Sequence, residues 1–160
     1  MNDRKTEIAT FGAGCFWGVE AIFRKVNGVV TTSVGYMGGT WVNPSYLDVL
    51  ARVTGHAEVV QVEYDPSIVS YSRLLDVFWA IHDPTSLNRQ GADRGEQYRS
   101  AIFYHSLEQK AEAHRSKEIL EQLRRFKRPI VTEIQPASAY YLATEDHQHY
   151  LEKQGKRICD

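Results

Sequence analysis

The chain has 160 residues, within the range of about 100–200 that a single hydrophobic core serves, so one domain over 1–160 is expected, with 152–160 as a mobile polar tail. Its 19 Lys and Arg nearly balance 20 Asp and Glu for a net charge of -1, which leaves no electrostatic footprint for nucleic acid or an anionic membrane surface. A hydrophobic fraction of 42%, no apolar run of the ~18 residues a membrane span needs and no signal-peptide core point to a folded, soluble, cytoplasmic protein.

Strands and helices alternate along the chain. Glu7 to Phe11 is short and apolar and reads as a strand that ends at Gly12. Phe16, Val19, Phe23 and Val26 then share one helical face, and Asn27-Gly28 stops the helix. Val29 to Tyr36 is a β-branched strand running into a loop of Gly38, Gly39, Asn43 and Pro44. The period-2 face of Val60, Val62 and Tyr64 marks a third strand, closed by Asp65-Pro66. Tyr71, Leu74, Leu75, Phe78 and Trp79 give the clearest amphipathic helix. Pro84 to Gln97 reads as irregular, Ala101 to Tyr104 as a strand, and Leu107 to Phe126 as a long charged helix burying Ile119, Leu123 and Phe126. Ile130 to Ile134 is a last strand candidate. This order predicts an α+β sandwich of the split βαβ type, with helices covering a sheet.

Chemistry concentrates at Gly14-Cys15-Phe16-Trp17-Gly18, where strand gives way to helix. A thiol of pKa about 8.5 is mostly protonated at neutral pH, but helix N-terminal N–H groups favour its thiolate. Cys15 is therefore placed to be a nucleophile, with Phe16 and Trp17 as walls of an apolar pocket; a buried structural cysteine among core aromatics is the competing reading. The two cysteines, Cys15 and Cys159, are too few for a disulfide framework and lack zinc-site spacing. His147 and His149, with Glu145 and Asp146, are read as a solvated face in preference to a metal cluster, because positions two apart diverge on a helix. His82 reads as a helix-end cap, and Arg89 and Arg99 as loop anchors.

Further unusual segments follow in order: Gly35-Tyr36-Met37-Gly38-Gly39, Asn43-Pro44-Ser45-Tyr46, Gly55-His56-Ala57-Glu58, His82-Asp83-Pro84-Thr85, and the run from Asn88 to Ser100 that holds Asp93 and Tyr98. Together with the Cys15 segment they strongly resemble the peptide methionine sulfoxide reductase A family over about Phe11 to Phe103. The resemblance implies a ferredoxin-like two-layer sandwich with a mixed sheet and an irregular C-terminal region. It also implies reduction of the S epimer of methionine sulfoxide, free or in proteins, without metal or organic cofactor, and regeneration by thioredoxin. Carried over residue by residue, the nucleophile falls on Cys15 and the methyl pocket on Phe16 and Trp17. The sulfoxide-oxygen partners fall on Tyr46, Glu58 and Tyr98, with Asp93 as the supporting acid. Cys159 matches a resolving cysteine by role only. The stretch Ala143-Thr144-Glu145-Asp146-His147-Gln148-His149-Tyr150-Leu151 keeps the end of the family pattern and departs before it.

The chemistry suits those residue types. A sulfoxide sulfur becomes a good electrophile only when its oxygen gains a proton, so a thiolate needs a general acid beside it. Glu58 can serve if burial lifts its pKa above the reference of about 4.3. A cysteine peroxidase or thiol hydrolase, and a module that merely binds oxidised segments, are the rival readings; the first needs a base such as His near Cys15, and turnover with a dithiol separates the second.

Overall fold

A computed structural model describes residues 5–154 of the chain. Strand β1 (Glu7–Ala13) buries Ala9, Phe11 and Ala13 toward the main core. Gly14 follows at φ 98°, a left-handed conformation that a Cβ disfavours, and this sharp turn delivers the chain into α1 (Phe16–Phe23). The helix buries Phe16, Val19 and Phe23, the predicted apolar face, together with the carboxylate of Glu20. β2 (Val29–Met37) leads through a loop to α2 (Tyr46–Leu50), then to β3 (Ala57–Tyr64) and α3 (Tyr71–Ala80). A two-residue hairpin, β4 (Arg89–Gln90) and β5 (Asp93–Arg94), and a 3-10 turn over Glu96–Tyr98 precede β6 (Ser100–Tyr104). Then come α4 (Leu107–Gln122), β7 (Glu133–Pro136), β8 (Tyr141–Leu142), a 3-10 turn over Glu145–His147 and α5 (Tyr150–Lys153).

Six strands form one mixed sheet in the order β7-β6-β1-β3-β2-β8, antiparallel throughout except for the parallel pair β6 and β7. Because β3 lies between β1 and β2 and opposes both, β1 and β2 run parallel and α1 is their crossover. One sheet face presents Phe11, Val34, Tyr36, Val60, Val62 and Ile102 to buried side chains of α1, α3 and α4. Phe11 is central, its ring 5.2 Å from both Phe23 and Phe78. A smaller cluster of Met37, Ala57, Val59, Ala101 and Phe103 fills the opposite face. The alternation of β3 thus puts Glu58 in phase with Val60 and Val62, on the main-core side.

Four expectations change. The predicted loop before β3 contains α2, because Ser45 and Asp48 form a reciprocal capping box: the Asp48 N–H donates to Ser45 Oγ (3.1 Å) and the Ser45 N–H to Asp48 Oδ2 (2.8 Å). Of the stripe predicted for α4 only Phe126, beyond the helix end, packs on the core: Ile119 and Leu123 are 47% and 60% exposed, while Gln109 and Ala113 are buried and Leu120 packs on the core. Gln109 is satisfied inside because its amide donates to Ile8 O (2.9 Å) and accepts the His105 N–H (2.8 Å), so hydropathy alone picks the wrong face. Strand β7 pairs at Glu133–Pro136, later than the candidate at Ile130 to Ile134, with Ile130 entering the core just before it. Glu152 and Lys153, expected in the tail, belong to α5 and pair with Arg24 and Glu145. No described helix is long and apolar enough to cross a membrane.

Candidate active site

Cys15 occupies the N-cap of α1, half-buried, as the strand-to-helix reading predicts. The next backbone N–H, that of Phe16, donates to Glu58 Oε1 (3.2 Å), so the carboxyl of β3 sits against the helix start that carries the thiol. Glu58 is 1% exposed, and among the described residues its Oε2 has no hydrogen-bond partner. Burial pushes its carboxyl up to about 8, the Phe16 N–H pulls the other way, and the Asp93 charge adds to the rise. A carboxyl in this position holds its proton at neutral pH and keeps one oxygen unengaged.

Tyr46 opens α2 and Tyr98 closes the 3-10 turn before β6. Both phenols are raised, first by burial and then by Glu58, Tyr98 to about 12. Cys15 and Asp93 also raise both, so these five groups lie within electrostatic reach of one another. Asp93 is half-buried in β5, opposite Gln90, whose amide is bonded to both backbone polar groups of Asp83. The sequence-derived constellation therefore converges, with one exception: Cys159 lies outside the described residues. His82 caps α3 as expected, bonded to Phe78 O (2.7 Å) and Ser100 Oγ (2.7 Å), and burial lowers it to about 4. Arg99 anchors its loop to Glu133 (3.2 Å) and Glu96 O (2.9 Å), and Arg89 donates to Gly91 O (3.2 Å).

Phe16 and Trp17 make the expected aromatic wall, their centroids 6.4 and 6.1 Å from Tyr46. Three members of the site are given no role in it by the sequence reading. Tyr36 lies across the β2/β3 ladder from Glu58, its ring 5.7 Å from Phe16 and its hydroxyl buried without a partner; burial and then Glu58 raise its pKa. Strand alternation from Val34 could have found it. Tyr150 stacks on Trp17 at 3.9 Å. His147 accepts the Trp17 indole N–H at Nδ1 (3.1 Å) and stands 4.4 Å from Tyr46. The solvated face expected for His147 and His149 with Glu145 and Asp146 holds for the exposed Glu145 and Asp146 and is corrected at His147, which is 7% exposed and drawn inward by its bond to α1, as is the neighbouring Gln148 by its bond to β2. Another unpredicted support is His56, whose Nδ1 accepts the Gly39 N–H (2.9 Å) while Nε2 bonds Trp41 O (2.7 Å), fixing the loop before α2. Gly39 must be glycine there because a Cβ would collide with the backbone of Thr54 and His56. Among the described residues no group of three His, Cys, Asp or Glu could hold a metal ion.

The buried carboxyl has a stability signature. From pH 4.5 to about 8 the folded chain keeps a Glu58 proton that the unfolded chain releases. The unfolded state binds fewer protons in that window, so stability falls as pH rises through it. Melting temperatures of the wild type and Glu58→Gln measured across the window should diverge steadily in favour of the variant toward pH 8. Parallel profiles would contradict a protonated buried Glu58.

Residues 7–160 match the model of the family described as peptide methionine sulfoxide reductase. Over 151 residues the chain is 68% identical to peptide methionine sulfoxide reductase MsrA 1 of Nostoc sp., covering 94% of this chain and 93% of that one. Among solved structures, reduced Mxr1 from Saccharomyces cerevisiae superposes with a TM-score of 0.91 at 37% identity, over 99% of this chain and 91% of that chain. Mxr1 in complex with Trx2 matches with a TM-score of 0.65 at 29% identity, over 93% of this chain and 87% of that chain. A family match across nearly the whole chain, high identity to a named relative and a shared fold agree with the convergence of Cys15, Glu58, Tyr46, Tyr98 and Asp93: the chain belongs to the peptide methionine sulfoxide reductase A family.

Proposed function

We propose that this chain reduces the S epimer of methionine sulfoxide, free or in proteins, with Cys15 as nucleophile and Glu58 as general acid. The observation that carries the reading is the placement of the Glu58 carboxyl: buried, pushed up to about 8 by that burial, with Oε2 unengaged among the described residues, and bonded to the residue after Cys15. The substrate S-methyl group packs against Phe16 and Trp17, and its oxygen faces Glu58, Tyr46 and Tyr98. As the Cys15 sulfur attacks the sulfoxide sulfur, negative charge grows on the oxygen, where two phenol donors and a carboxylic acid stabilise it. Burial holds Glu58 in its acid form, and like-charge repulsion from Asp93 adds to it. Glu58 gives its proton to that oxygen, the substrate S–O bond breaks as the oxygen passes to the Cys15 sulfur, and Cys15, oxidised by two electrons, is left as a sulfenic acid while the sulfoxide sulfur, reduced by two, leaves as methionine.

Cys159 then condenses with the sulfenic acid, releasing water and leaving a Cys15–Cys159 disulfide, which the dithiol of thioredoxin reduces. Mxr1 has been captured with Trx2, which supports a thioredoxin as the reductant here. Cys159→Ser should still convert about one equivalent of substrate but lose thioredoxin-supported turnover, with partial rescue by dithiothreitol. Full thioredoxin turnover by that variant would remove Cys159 from the cycle.

The central sheet supports a ferredoxin-like reading of the fold: β6-β1-β3-β2 is the antiparallel order of a split βαβ repeat, with α1 joining β1 to β2 and α3 lying between β3 and β6. The function itself is tested by incubating the protein with each epimer of a methionine sulfoxide peptide and dithiothreitol. Methionine should form from the S epimer alone. Equal conversion of both epimers, or none, would overturn the proposal.

A further inference from the structure

The hairpin that carries Asp93 has two unlike faces. In its short ladder Gln90 pairs with Asp93 and Arg89 with Arg94, and neighbouring strand residues point to opposite sides. The inner pair faces the turn that presents Cys15: Asp93 acts on Glu58, and Gln90 packs so closely on Gly14 that a Cβ there would lie 3.0 Å from its side chain. The outer pair sets two guanidinium groups side by side, an arrangement that like-charge repulsion disfavours.

A third arginine joins them. Arg52, just beyond α2, donates from Nη2 to Arg94 O (2.7 Å), and its side chain runs along Gly95, where a Cβ would come within 2.9 Å of its Nε. Arg89 is tied to Gly91 O (3.2 Å). Arg52, Arg89 and Arg94 line one open cavity of about 460 Å³, in which Glu96 is the only acidic residue. All three are exposed, and among the described residues none is paired with a carboxylate. The bonds that order Arg52 and Arg89 end on neutral carbonyls, so they leave the charge uncompensated. Exposed arginines free to choose spread apart or pair with acids; three held together raise a local positive potential, on a chain whose net charge is -1, that suits a carboxylate from outside.

We propose that Arg52, Arg89 and Arg94 form a subsite for an acidic side chain of the polypeptide that carries the oxidised methionine, so that the enzyme favours methionine sulfoxide with Asp or Glu nearby. This rests on the reading of Cys15 and Glu58 as the reducing centre for methionine sulfoxide in proteins. Arg94 adjoins Asp93 of that centre, and an extended substrate advances about 3.3 Å per residue, so acids two to four positions from the sulfoxide fall within reach of the cavity.

The test uses peptides with one methionine S-sulfoxide that differ only in carrying Glu, Gln or Lys at those positions, on either side, with dithiothreitol as reductant. At low ionic strength kcat/KM should be about 5- to 30-fold higher for the best Glu peptide than for its Lys counterpart, chiefly through KM, and the ratio should shrink toward one at about 1 M salt. Arg89→Gln combined with Arg94→Gln should remove most of the preference, and Arg94→Glu should bring the Lys peptide level with the Glu peptide or ahead of it. Because the ratio is taken within each protein, a general loss at Cys15 cancels. Equal rates on all the peptides in the wild type, or a ratio that both variants leave unaltered, overturns the subsite while leaving sulfoxide reduction intact. Loss of thioredoxin-supported turnover in Arg94→Glu with an unaltered peptide ratio assigns the cavity to the reductant and likewise overturns it. No methionine from any peptide overturns the proposed function, and this proposal with it.

Discussion

Cys15→Ser is expected to abolish methionine formation, by more than about 10³-fold, because a serine hydroxyl is far less nucleophilic and less readily ionised than a thiol. The fold should survive the change. Cys15 is a half-buried N-cap that replaces no core contact of Phe16, Val19 or Phe23, and serine is a favoured N-cap residue. Steady-state assay with dithiothreitol, alongside circular dichroism and a melting curve, checks the result. A folded variant with more than a few hundredths of wild-type activity would show that another group attacks the sulfoxide.

Glu58→Gln carries the second large effect. Gln can still accept the Phe16 N–H but has no proton to deliver, so the single-turnover rate should fall by about 10²- to 10⁴-fold, equivalent to about 2.7–5.4 kcal/mol of transition-state stabilisation. Binding of substrate should change little. The acid form of Glu58 persists up to about pH 8 and is lost above it, so the wild-type rate should decline as pH rises through that value. The variant should lack this alkaline limb. Retained rate at neutral pH, a change confined to KM, or the same limb in both proteins would remove Glu58 as the acid.

What could be read from the sequence was the part written in apolar periodicity. The faces of α1 and α3 follow directly from the spacing of Phe16, Val19 and Phe23 and of Tyr71, Leu74 and Phe78, because burial there has no other requirement. Where a polar side chain is buried, the signal fails. Gln109 and Glu20 look solvent-facing until Ile8 O and the His149 N–H supply partners 101 and 129 residues away. α2 was written in Ser45 and Asp48, a short capping signal overshadowed by the neighbouring Gly and Pro residues. The candidate site divides similarly. Cys15 and Glu58 stand out through placement and resemblance, whereas Tyr36, in phase with Val34 on its strand, is passed over. His147 acquires its partner 130 residues along the chain, and no local pattern announces that bond.

Oxygen transfer to Cys15 is the central step, and trapping it in Cys159→Ser tests it most directly. With one equivalent of the S epimer and no reductant, each protein molecule should yield one methionine and one sulfenic acid, which dimedone converts to an adduct that mass spectrometry places on Cys15. Methionine released without oxidation of Cys15, or an adduct on any other residue, would contradict the mechanism.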